Sequence, residues 1–262
     1  MKALLIFLAA SLAAVPARAG QSPDLSQAFS SLSSQAKRAS ARLKAADAQN
    51  QAEPRFIGSG GVVRLVPYVC AGSGISDAQV SADIARAQKT LSQCELKIAV
   101  PSAPYPRFSL PDGRCNLQTD EDSPVFSKDE RDLISRYRAK DADALTAFYL
   151  SWDSEDPNEA GTSIPVDYVA EVKTAAPASL RRQALGTFFI FEKAREAMGG
   201  DVYTLPHEMV HILTESSAHL HAQSDSGNLM YRPLGYGSPN AAQGNALTRA
   251  QCERIWKVSG RP

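Results

Sequence analysis

Residues 207–233 read HEMVHILTESSAHLHAQSDSGNLMYRP, and the rest of the 262-residue chain is best understood outward from them. All four histidines of the sequence, His207, His211, His219 and His221, lie in this stretch. Histidines that merely fill a core are scattered; these converge on one short segment. Thr204 suits a helix N-cap and Pro206 a first helical turn, so a helix is expected to run through His207, Glu208, Val210, His211 and Ile212. Residues four apart share a helical face. His207 and His211 can therefore reach one ion, and Glu208, one step round, can reach a water beside it. Zinc takes neutral imidazole nitrogens and, in catalytic sites, three protein ligands with one position left open. The third ligand must come from outside the HExxH string, and the candidates are His219, His221, Asp225 and the more distant Glu253. Zinc lowers the pKa of its water to about 7. Glu208 is then the base that takes the proton as water attacks a carbonyl and returns it to the leaving amine.

In this stretch the sequence resembles the metzincin clan of zinc metalloproteases, in which HExxHxxGxxH is followed by a tight turn carrying a methionine below the metal. The resemblance implies that His207 and His211 are the first two zinc ligands and Glu208 the general base. It implies that Asn228-Leu229-Met230-Tyr231 is the Met-turn, with Met230 under the site. Two positions depart from the pattern: Thr214 stands where the clan has glycine, and Ser217 where it has the third histidine. The glycine lets the chain leave the helix in a left-handed conformation. A longer exit loop is expected to bring in His219 as the third ligand, with His221 the near alternative and an acidic ligand the remaining one.

The fold expected around this helix is α/β (α+β): a metzincin-like mixed sheet with packed helices, one of which carries HExxH. VVRLVPYV at residues 62–69 is β-branched and apolar and reads as a strand, pushed toward an edge or an end by Pro67. Ser76 with Gln79 is a capping-box signature, and Val80, Ile84, Ala87 and Leu91 keep helical spacing. Residues 96–100 read as the next strand, giving a parallel βαβ unit. Ser127 with Glu130 caps another helix. Further strands are expected at residues 144–152, 168–172 and 187–191, and a closing helix after Thr248. Residues 158–166, NEAGTSIPV, are expected to form a rim or edge strand on which an extended peptide could lie.

Ahead of all this, MKALLIFLAASLAAVPARA has a basic start, a short apolar run and a small-residue cleavage site, which reads as a signal peptide over residues 1–19. The apolar run falls short of the roughly 20 residues a membrane-spanning helix needs. A polar helical N-terminal segment or linker follows over residues 20–57, open to the reading of a removable pro-segment, and the catalytic domain is expected over residues 58–262. Lys and Arg total 28, as do Asp and Glu. Such a balance argues against a nucleic-acid partner and leaves a protein or peptide substrate to be argued from the site. The four cysteines, Cys70, Cys94, Cys115 and Cys252, suit two disulfides in an oxidising compartment, with three pairings open. The combined expectation is a secreted or periplasmic zinc endopeptidase. The alternative is a zinc-stabilised exported binding protein without efficient hydrolysis.

Overall fold

The computed structural model describes residues 56–118, 126–139, 143–153, 160–171, 176–197, 203–217, 227–230 and 244–258. The expected signal peptide and nearly all of residues 20–57 lie outside them. The first strand, β1 (Val62–Cys70), leads into helix α1 (Asp77–Leu91) and returns to β2 (Lys97–Ala99), which pairs with β1 in parallel. This is the expected βαβ unit. Its helix starts where the sequence indicates: Gln79 N donates to Ser76 Oγ at 3.2 Å and Ser76 N to Gln79 Oε1 at 2.8 Å. Each bond satisfies a backbone donor that a bare helix start would leave open. A cross-edge strand, β3 (Arg107–Phe108), pairs with the far end of β1.

The chain then forms β4 (Asn116–Leu117), α2 (Lys128–Tyr137), β5 (Ala144–Leu150), β6 (Trp152–Asp153), β7 (Gly161–Ser163), α3 (Val166–Glu171), α4 (Ala178–Ala184), β8 (Thr187–Phe191), α5 (Glu192–Ala197), α6 (Thr204–Leu213) and α7 (Arg249–Val258). The main sheet has the order β2-β1-β5-β8-β7. It is parallel except for β7, which runs antiparallel to β8 at the edge, so the sheet is mixed as expected. The β4 and β6 strands form a separate parallel pair.

Pro67 puts β1 neither at the sheet edge nor at its own end, since β1 lies between β2 and β5 and runs on to Cys70. Val69 N donates to Pro106 O, on the β2 and β3 side. Residues two apart in a strand face the same way, so the N–H that Pro67 lacks would point there too. Pairing on that side skips from Arg64 to Val69, while Pro67 remains in register with Ala147 on the other. Residues 168–172 also depart from expectation. They belong in part to α3 rather than to a strand, because Val169 N donates to Pro165 O and opens a helical turn. Asp167 adds a carboxylate in the first turn, where it favours the open N–H groups of the helix start.

Every residue of β5 and β8 is buried. Across one sheet face, Tyr68, Phe148 and Phe189 stack in register, with ring centroids 5.7 and 5.5 Å apart. Tyr137 at the end of α2 covers this ladder, 5.7 Å from both Tyr68 and Phe108. On the opposite face lie α1 and α6, packed on each other. There the buried Asp83 of α1 accepts two hydrogen bonds from Arg195 of α5, at 2.7 and 2.9 Å. Two disulfides complete the frame: Cys70–Cys115, and Cys94–Cys252, which ties the end of α1 to α7.

Candidate metal centre

All ten residues of α6 are buried, including His207, Glu208 and His211. Thr204 is already helical, and Tyr203 rather than Thr204 occupies the cap without a side-chain bond. This corrects the expected helix start by one residue. Pro206 sits in the first turn, where its missing N–H costs no intrahelical bond.

The two imidazoles meet at their Nε2 atoms, 3.1 Å apart. His207 Nδ1 lies 3.0 Å from Leu229 O and His211 Nδ1 2.8 Å from Ser216 O. Carbonyl oxygens only accept, so both Nδ1 atoms carry the proton. In the neutral rings both Nε2 atoms then present lone pairs to the same point. Lone pairs this close repel unless a cation lies between them. Two nitrogens at zinc-ligand distance on a tetrahedral ion are ~3.3 Å apart, so the spacing and the donor type both fit zinc. Backbone carbonyls on the far nitrogens are also the partners that fix ligand tautomer and ring orientation.

Glu208 points toward the sheet edge. A Cβ built on Gly161 of β7 would stand 3.1 Å from Glu208 Cγ and 2.6 Å from Thr204 Cγ2, so only glycine lets the strand approach this closely. Burial pushes the Glu208 carboxyl up to about 7, partly offset by a hydrogen bond from Ser163. Gly161 and Ser163 fall inside the segment read as an edge strand, but nothing in the sequence tied them to Glu208.

Beyond Leu213 the helix closes in a Schellman turn. Ser216 N donates to His211 O and Glu215 N to Ile212 O, both at 3.0 Å, with Glu215 left-handed at φ 53°. The turn sets the Ser216 carbonyl over His211 Nδ1. The exit is thus left-handed, as the resemblance suggests, but one residue later than the clan's glycine and without one. Ser217 N, at the place of the clan's third histidine, donates to both carboxylate oxygens of Asp167 at 2.8 and 2.9 Å.

The turn at Asn228-Leu229-Met230 is brought to the helix, since Leu229 supplies the carbonyl for His207 and Met230 is buried. His219, His221 and Asp225 lie outside the described residues. Glu253 is exposed on α7 and ion-paired with Arg249 at 2.7 Å, a poor position for a ligand. Among the described residues no group of three or more His, Cys, Asp or Glu side chains is arranged to hold a metal.

No protein-family model and no curated protein matches the sequence. Among solved structures, metalloproteinase-II from Bacteroides fragilis is similar with a TM-score of 0.48 and 11% identity, covering 79% of this chain and 55% of that one. The chain thus spans little more than half of that protein's length. Archaemetzincin from Methanopyrus kandleri is similar with a TM-score of 0.44 and 12% identity, covering 78% of this chain and 99% of that one.

Proposed function

We propose that this chain is an exported zinc endopeptidase, with His207 and His211 as metal ligands, His219 as the third ligand and Glu208 as general base. The observation that carries the reading is the pair of Nε2 atoms 3.1 Å apart, each ring held by a carbonyl at its other nitrogen, beside a buried carboxyl on the same helix. A bound zinc ion supplies a Lewis acid that polarises the scissile carbonyl and makes water nucleophilic near neutral pH. Glu208 takes the proton that the attacking water loses and delivers it to the departing amine nitrogen. Its burial keeps competing water from solvating the carboxylate, and Ser163 holds one face of it. The edge strand β7, beside Glu208, offers main-chain groups on which an extended peptide can align. Export is supported by the N-terminal leader pattern and by two disulfides, which persist in oxidising compartments. Among the described residues no helix is long and apolar enough to cross a membrane.

The test is zinc content by elemental analysis, with cleavage of an unstructured protein, for the mature chain and for Glu208→Ala. The expected result is about one zinc in each and cleavage reduced at least about 100-fold in the variant, the scale of a lost general base. Zinc in both with cleavage in neither favours the binding-protein reading. No zinc in the parent overturns the proposal.

A further inference from the structure

The carbonyl that orients His207 belongs to a short turn with little secondary structure of its own, yet the turn is braced. Leu229 N donates to Ala246 O at 2.8 Å, and Ala246 N returns a bond to Gly227 O at 3.1 Å. Inside the turn, Asn228 Oδ1 accepts from Met230 N at 2.8 Å. The Asn228 amide is in turn clasped by Gln251 of α7: Asn228 Nδ2 donates to Gln251 Oε1 at 3.0 Å, and Gln251 Nε2 donates to Asn228 Oδ1 at 3.1 Å. Both side chains are buried, Asn228 at 1% and Gln251 at 2% exposure, so the reciprocal amide pair is shielded from competing water. Gln251 is itself fixed, because its Oε1 accepts from Thr248 N at 2.7 Å and its N–H donates to Thr248 Oγ1 at 3.2 Å in a capping box. A second contact from the same helix reaches the other histidine's support: Arg254 Nε donates to Thr214 O at 3.0 Å, at the start of the turn whose Ser216 carbonyl holds His211.

We propose, resting on the zinc reading of the site, that Gln251 is a positioning residue for the metal ligands. Through Asn228 it fixes the Leu229 carbonyl, and so the tautomer and plane of His207. The C-terminal helix therefore sets metal affinity without touching the metal. Mutating the groups that hold a metal ligand in its orientation typically costs about 10- to 100-fold in affinity.

The experiment measures zinc affinity by chelator competition in the mature chain and in Gln251→Ala, Thr248→Ala and Asn228→Ala. Thr248→Ala loses the α7 cap but keeps the amide pair; Asn228→Ala loses the pair but keeps the cap. Gln251→Ala and Asn228→Ala are expected to weaken zinc binding about 10- to 100-fold, and Thr248→Ala by less than about threefold. In the metal-free proteins, proton NMR should show a slowly exchanging His207 Nδ1–H in the parent and in Thr248→Ala, and fast exchange in the other two. If all three variants bind zinc alike and keep the slow proton, Gln251 has no positioning role. A parent that binds no zinc fails the underlying reading instead, and is recognised before any variant is compared.

Discussion

Glu215 takes a left-handed conformation, φ 53°, that costs a side-chain-bearing residue roughly 1 kcal/mol or more relative to glycine. The chain tolerates it because the Schellman turn closes two bonds there and presents the Ser216 carbonyl to His211. Glu215→Gly is therefore expected to raise stability by about 1 kcal/mol, read as a higher urea midpoint, with zinc affinity unchanged. A loss of stability would mean that the glutamate side chain contributes more than its backbone strain costs. The sequence made the missing glycine at position 214 visible, but the φ of the next residue is a property of how the helix ends and has no signature in residue type. The histidine pair was readable because helical spacing alone brings positions four apart together. The carbonyls of Leu229 and Ser216 were not, since any residue can supply a backbone oxygen.

At the scale of elements, caps and periodicity were the legible features. Ser76 with Gln79 and Ser127 with Glu130 form the expected capping boxes, because each needs only two side chains three residues apart. Tertiary context decided the rest. The strand of Pro67 stays inside the sheet because its unpaired position meets a break between β2 and β3, which no local pattern reveals. The approach of β7 to α6 at Gly161 is of the same kind. Adding one methyl there forces Thr204 and Glu208 to move, so Gly161→Ala is expected to cost about 1–3 kcal/mol by overpacking and to displace the edge strand from the carboxyl. Thermal unfolding gives the first quantity; the second appears as a loss of peptide cleavage in a variant that still binds zinc. Full activity with unchanged stability would show that the strand yields without consequence.

Across the whole molecule, the four cysteines announced two disulfides but not their pairing, because connectivity depends on which chain ends the fold brings together. The fold pairs residues 45 apart in one bridge and 158 apart in the other. On loop-closure entropy alone, removing either should destabilise the protein by similar amounts, about 4 and about 5 kcal/mol. Their positions are not similar. Cys70–Cys115 joins the end of β1 to the segment before β4, whereas Cys252 neighbours Gln251 on the helix that braces the histidines. Cys70→Ser/Cys115→Ser should therefore lower the urea midpoint while leaving zinc affinity within about threefold, and Cys94→Ser/Cys252→Ser should lower both, zinc affinity by about tenfold or more. Affinity is compared at a denaturant-free condition where both variants remain folded by circular dichroism, so that a shift reflects the site rather than the folded fraction. Equal affinities in the two variants would mean that packing, not the covalent tie, holds α7 in place.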